Sequence, residues 1–196
     1  MSRSVEVFDI SGVTAGTSFS PTRLADLSVV ENEAMTPQVL FGKQVFYNAE
    51  DDRMSRDDYI SCASCHLDGG QDGRVWDFTD RGDGFRNTIA LKGRGGLQDG
   101  PVHWSGNFDE IQDFENDIRG SFGGLGFLSD VDFQAGTRSE PLGDAKAGLS
   151  AELDALAAYI SSLTLPPLSP YRESDGALTA DAVVGREIFI SQNCQS

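Results

Sequence analysis

Apolar residues recur along the chain with two different periods. Val5, Val7 and Ile10 alternate with polar residues, a short strand pattern, and SGVTAGTS after them has loop composition. One strand is not a domain, so residues 1–34 read as an N-terminal extension, the end of an upstream β domain. The period then becomes helical. Thr36-Pro37 supplies an N-cap and a first-turn proline, and Val39, Leu40, Val45 and Phe46 share a face. Phe108, Ile111, Phe114 and Ile118 keep helical spacing through 108–119. The clearest helix spans 150–163, where Leu153, Leu156, Ile160 and Leu163 continue a stripe begun at Leu149, and Pro166-Pro167 end it. Such a stripe is a core-packing face. Between 66 and 100 Gly and Asp dominate, with Trp76, Phe78 and Phe85 as the large anchors, and 166–178 (PPLSPYRESDGAL) reads as a linker.

One segment carries chemistry. Cys62-Ala63-Ser64-Cys65-His66 is C-x-x-C-H, two thiols spaced to form thioethers with the two vinyl groups of one haem, followed by a histidine that reaches its iron. A redox disulfide would follow a strand in a βαβ unit, and no such pattern surrounds the motif. A zinc knuckle would need two more ligands nearby, whereas the next His is His103 and the next Cys is Cys194. The motif therefore predicts one covalent haem c per chain, with His66 as proximal iron ligand. Met1, Met35 and Met54 all precede Cys62, so His103 is the candidate sixth iron ligand, with a distal acid–base role or a plain packing role as alternatives. The carboxylates Asp68, Asp72, Asp77, Asp80 and Asp83 are a candidate Ca²⁺ site that lacks EF-hand spacing; solvated loop carboxylates are the alternative.

A weak repeat accompanies the motif. Gly42-Lys43-Gln44-Val45-Phe46 precedes Cys62 by 20 residues (62 − 42), and Gly185-Arg186-Glu187-Ile188-Phe189 precedes Cys194 by 9 (194 − 185). Cys194 is then either a free thiol or the first thioether cysteine of a second haem site, at which Cys194-Gln195-Ser196 stops short. Met1-Ser2-Arg3 leads into polar sequence without the apolar run of a signal peptide.

GKQVF, SCASCH, FRNTIAL and VHWSGNFDEIQDFE, in this order, resemble the di-haem cytochrome c peroxidases and the related methylamine-utilisation di-haem enzymes. The resemblance covers about residues 36–165. It implies a mostly α, cytochrome c-like haem domain with long Gly/Asp-rich loops at 35–165, between the extension at 1–34 and a linker plus the start of a second haem domain at 166–196. It makes Cys62 and Cys65 the thioether residues and His66 the proximal ligand. Arg86-Asn87-Thr88 becomes a turn at the haem edge, and Trp104 the tryptophan between two haems. Arg86 is then either a propionate partner or a turn arginine, and Trp104 either an electron conduit or a packed aromatic. Glu110 and Glu115 are candidates for the family's catalytic acid. The departures are the absence of a distal His around Phe78-Thr79-Asp80, Ile89 where the family has Pro, and Ser105 where it has Asp.

Charge narrows the partners. Fifteen Lys and Arg against 31 Asp and Glu leave a net charge of −16, unsuited to nucleic acid or an anionic membrane surface. No apolar run approaches a bilayer span. The reading is a c-type cytochrome domain that transfers electrons within a di-haem peroxidase-like protein, with peroxide reduction at an open haem as the alternative. Its partner is a redox protein or a second haem domain, and its compartment is periplasmic or otherwise extracytoplasmic, where bacteria attach haem c.

Overall fold

The computed structural model describes residues 3–79 and 82–195. Asp80 of the carboxylate group, and the terminal Met1, Ser2 and Ser196, lie outside the described residues. The elements run β1 (Ser4–Asp9), α1 (Ser11–Thr14), β2 (Thr22–Ser28), α2 (Pro37–Tyr47), α3 (Cys62–Cys65), β3 (Val75–Phe78), β4 (Gly84–Asn87), α4 (Glu115–Arg119), α5 (Asp130–Gln134), α6 (Ala151–Ser161) and α7 (Ala180–Ser191).

The expectation of a mostly α fold is overturned. The chain is 33% helix and 14% strand, an α/β mixture with two small antiparallel sheets. In the N-terminal segment SGVTAGTS begins with the single turn α1 and joins β1 to β2, paired from Ser4–Ser28 to Asp9–Thr22 with an irregularity at Val7/Phe8. In the Gly/Asp-rich segment β3 pairs with β4 from Val75–Asn87 to Phe78–Gly84. Gly82 and Gly84, leading into and opening β4, take φ of 82° and 68°, a region that glycine enters without strain. Strands of four residues carry too little alternation to stand out in a sequence, and pairing alone makes them strands.

The helical expectations hold closely. The Thr36 hydroxyl accepts from the Val39 N–H at 3.3 Å, and Pro37 opens α2. Ser150 caps α6 by accepting from the Leu153 N–H, also at 3.3 Å. Helix α6 ends at Ser161. Leu163 lies just beyond, and its carbonyl accepts from Gly93 N–H (2.8 Å) and Gly95 N–H (3.2 Å), fastening the glycine-rich segment to the helix end. Segment 108–119 divides into a 3-10 turn, Ile111–Phe114, followed by α4.

The core lies where α2 crosses α6. Val45, Phe46, Met54, Ile111, Ile118, Leu128, Phe133, Leu153, Leu156, Tyr159 and Ile160 form one buried cluster. Each large side chain there contributes about 1.5–3 kcal/mol by leaving water. Gly42 permits the crossing, because a Cβ at that position would sit 1.8 Å from the Ala155 carbonyl oxygen. Loop 145–149 is pinned beside the core by carboxylates. The fully buried Lys146 Nζ meets Asp113 Oδ1 at 2.5 Å, and Glu110 accepts from the Lys146 and Ala147 N–H groups. Helix α7 has no buried residue, and Val184, Ile188, Phe189 and Ile190 are exposed on it.

Candidate functional site

The C-x-x-C-H motif is a single helical turn closed by its own residues. Ser61 and Ser64 cap it reciprocally, and the His66 N–H donates to the Cys62 carbonyl at 3.0 Å. Both thiols are free and half-buried. Burial pushes Cys62 up to about 12 and Cys65 up to about 11, so each is a neutral thiol at neutral pH. A thiol held neutral is a poor nucleophile for disulfide exchange, which needs the thiolate.

The chain past His66 folds back around its ring. A 3-10 turn, Leu67–Gly69, places Gly69 at φ 73°, and the Gly69 carbonyl accepts from the N–H groups of Leu91 and Lys92, both at 2.9 Å. A Cβ on Gly69 would approach Leu163 Cδ1 to 3.0 Å, so glycine lets the end of the core helix reach the turn behind the histidine. Burial lowers the His66 pKa, against an opposing pull from the Gly70 and Ile89 backbone. Among the described residues His66 Nδ1 is buried with no hydrogen-bond partner. A buried imidazole nitrogen left unpaired is costly, and it points to a group that the protein itself does not supply.

His103 lies close enough to His66 for its charge to act on that ring. It sits at φ 66°, in a loop closed by the Val102 N–H donating to the Phe108 carbonyl at 2.8 Å. Phe108 and Phe114 pack on the imidazole with ring centroids 4.4 and 4.9 Å away. Nδ1 bonds Asn107 Oδ1 at 2.8 Å, and Nε2 faces Asp117 Oδ2 at 3.4 Å. Asp117 is itself buried on α4, and its charge reaches Cys62. Asn107 and Asp117 are polar neighbours of His103 that no sequence signal marked, since neither spacing nor periodicity separates them from ordinary loop and helix polar residues.

The remaining candidates fall into place around this centre. Trp104 donates its indole N–H to the Asn87 carbonyl at 2.9 Å while remaining 58% exposed. Arg86 lies opposite Trp76 on the β3–β4 ladder and donates from Nη1 to the Phe85 carbonyl at 2.9 Å. Glu110 is engaged with loop 145–149. Glu115 is fully buried and accepts from Arg119 Nε (2.7 Å) and from the Phe127 and Leu128 N–H groups (2.8 and 3.0 Å). Both carboxylates are therefore consumed in holding loops. The carboxylates proposed for Ca²⁺ also serve local donors. Asp72 accepts from Thr88 Oγ1 and Trp76 Nε1, Asp77 from Thr79, and Asp68 from the Tyr47 hydroxyl. Among the described residues no group of three His, Cys, Asp or Glu is gathered to hold a metal ion, and no helix is long and apolar enough to cross a membrane.

Fold and site together define a small α/β domain with a C-x-x-C-H turn and a second histidine within electrostatic reach of the first. No family model matches the chain. It is 33% identical over 134 residues to hydrazine synthase subunit gamma of Kuenenia stuttgartiensis, an alignment covering 66% of this chain and 33% of that protein. The chain thus spans about a third of the length of the curated relative it matches. Among solved structures it aligns with Kuenenia stuttgartiensis hydrazine synthase pressurised with 20 bar xenon, at 28% identity and TM-score 0.45, over 82% of this chain and 47% of that one. The match to hydrazine synthase subunit gamma overturns the resemblance to di-haem cytochrome c peroxidases. Its landmarks are short and do local work here: Gly42 makes a helix crossing, and the Asn87 carbonyl holds the Trp104 indole.

Proposed function

We propose that this chain is a c-type cytochrome domain that holds one haem through thioethers at Cys62 and Cys65, with His66 as proximal ligand, and passes single electrons to a protein partner. The carrying observation is the self-capped Cys62–Cys65 turn followed by His66, whose buried Nδ1 has no partner among the described residues. When bound, the haem supplies one-electron redox chemistry at iron. The protein's own part is to present two neutral thiols for addition, to orient the imidazole, and to exclude water with the loop folded over it.

Arg86, with Nη1 spent on a backbone carbonyl, would offer its remaining N–H groups to a propionate. Trp104, anchored by its N–H but exposed across its body, would lie against the porphyrin. The core cluster lies wholly between Val45 and Ile160, which supports a haem domain at 35–165 flanked by separate segments at 1–34 and 166–196. The match to a protein named as a subunit supports a protein partner, and a net charge of −16 favours a basic one. An extracytoplasmic location follows from the need for c-type haem attachment.

A second reading rests on His103. Nε2 faces Asp117, so ligating iron would mean leaving that carboxylate. This favours His103 and Asp117 as a proton-exchanging pair beside the haem, suited to reducing a small oxidant such as peroxide. Expression with a c-type maturation system tests the first reading. The polypeptide should keep one haem mass after acid–acetone extraction, and Cys62→Ala/Cys65→Ala should keep none. A haem-free wild-type mass overturns the proposal. The ferric spectrum then separates the readings: a low-spin wild type that turns high-spin in His103→Ala makes His103 the sixth ligand, while an unchanged spectrum with slower peroxide reduction assigns it to proton exchange.

A further inference from the structure

Helices α2 and α7 are one structural unit written twice. Thr36 and Thr179 cap them in the same extended conformation, at φ −62°, ψ 154° and φ −60°, ψ 162°. Each hydroxyl accepts the N–H three residues on, of Val39 or Ala182, at 3.3 Å. From the caps onward the register is constant: 179 − 36, 185 − 42, 188 − 45 and 189 − 46 are all 143. Gly42, Val45 and Phe46 therefore correspond to Gly185, Ile188 and Phe189. Each trio lies on one helical face, because positions i, i+3 and i+4 are neighbours there.

The two faces differ in what covers them. In α2, Val45 (7% exposed) and Phe46 (0%) are buried under α6. Gly42 admits the Ala155 carbonyl, and Tyr159 packs edge-on against Phe46 with ring centroids 5.1 Å apart. In α7, Ile188 is 58% and Phe189 50% exposed, and a Cβ on Gly185 would meet nothing within 4 Å. Glycine inside a helix destabilises it relative to alanine, and α7 carries that loss without the close approach that α2 gains from it. A helix of twelve residues is also marginal in water without a partner for its apolar face.

We infer that the Gly185, Ile188 and Phe189 face of α7 is a docking face for a partner helix of α6's kind. That helix is amphipathic, with a small residue where it crosses Gly185 and an aromatic one four residues on to meet Phe189. The occupant is specified by what the matching face of α2 receives, Ala155 at the crossing and Tyr159 one turn further. The differences between the two faces preserve this fit. Glycine and phenylalanine are unchanged, and Ile188 for Val45 keeps the β-branched shape while adding one methylene. A second copy of this chain is the poorer occupant. Its own α6 is already buried under its own α2, and two chains of net charge −16 repel each other.

A labelled synthetic peptide with the sequence of residues 149–163, titrated into the purified full chain and followed by fluorescence anisotropy, tests the docking. It should bind saturably. Gly185→Leu fills the crossing point without touching the core and should weaken binding by roughly tenfold or more, the scale of an overpacked crossing. A peptide that does not bind, or that binds both chains alike, overturns the inference. A graft tests the face itself: residues 179–189 replace 36–46, and Tyr47 stays in place. The grafted chain should still melt cooperatively, within about 10 °C of the wild type, and Gly185→Leu inside the graft should abolish the transition. A graft without a transition, or one indifferent to the leucine, also overturns it. Sedimentation of the chain alone should give a monomer. A dimer that Gly185→Leu dissociates would hand the face to a second copy and overturn the stated occupant. None of these readouts needs haem, so a failure of the cytochrome proposal is distinct from a failure here.

Discussion

The two copies of the G-[K/R]-x-[V/I]-F segment should respond oppositely to the same substitution. In α2, an alanine Cβ at position 42 would meet the Ala155 carbonyl oxygen at 1.8 Å, its carbon at 2.4 Å and Tyr159 Cβ at 2.9 Å. The obstacle is the backbone of α6, which cannot rotate aside. Restoring ordinary contact at 3.4 Å requires the helices to part by about 1.6 Å (3.4 − 1.8), through the middle of the buried cluster. Overpacking costs about 1–3 kcal/mol, and a backbone clash belongs at the upper end. Alanine's better helix propensity returns about 1 kcal/mol. The net loss is about 2 kcal/mol, and for a chain of this size that lowers Tm by about 4–8 °C. At Gly185 in α7 a Cβ meets nothing within 4 Å. There Gly185→Ala keeps only the propensity gain, up to about 1 kcal/mol within α7, and should raise the helical signal. Far-UV circular dichroism melts of both variants beside the wild type provide the assay. A Gly42→Ala chain that melts at or above the wild-type temperature would refute the crossing geometry.

Two further outcomes follow from buried charge. Lys146→Met strands Asp113 in the interior and should cost about 3–5 kcal/mol in urea unfolding. Lys146→Met/Asp113→Leu should recover much of that loss, and strict additivity would mean that the two groups do not interact. Arg53 bonds both Asp51 and Glu152. Its bonds are the main cause of the lowered Asp51 pKa; at Glu152 burial pushes up, and Arg53, the Glu152 backbone N–H and Ser150 together outweigh it. A carboxylate whose folded pKa lies below its unfolded value stabilises the fold above the unfolded value, and that stabilisation fades as pH falls through the folded one. Starting from ordinary values of 4.5 for Glu152 and 3.8 for Asp51, the wild type should lose its advantage over Arg53→Met as the pH drops below about 4.5. A stability difference between the two that is constant across this range would disprove the coupling.

Features that reside in a few consecutive residues were legible in the sequence itself. The C-x-x-C-H turn, the Thr36-Pro37 and Ser150 helix starts, and the apolar stripe of α6 depend on caps and on the 3.6-residue period, which act over one or two turns of chain. The repeat was legible too, although only the structure shows that its first glycine meets a helix and its second meets open space. The strands had to wait for the tertiary structure. β3 and β4 are four residues each, and β2 lies beyond a segment that reads as plain loop. Each exists because a partner strand satisfies its backbone. The same holds for the site. His103 was named from the count of remaining iron ligands, but its charge environment comes from Asn107, four residues along a tight loop, and from Asp117 on a separate helix. Glu110 and Glu115 are candidates for a catalytic acid by resemblance alone, and folding brings backbone N–H groups onto both and Arg119 onto Glu115. A side chain's chemistry is set by what lies within a few ångströms of it, and residues far apart along the chain are brought that close only by the fold.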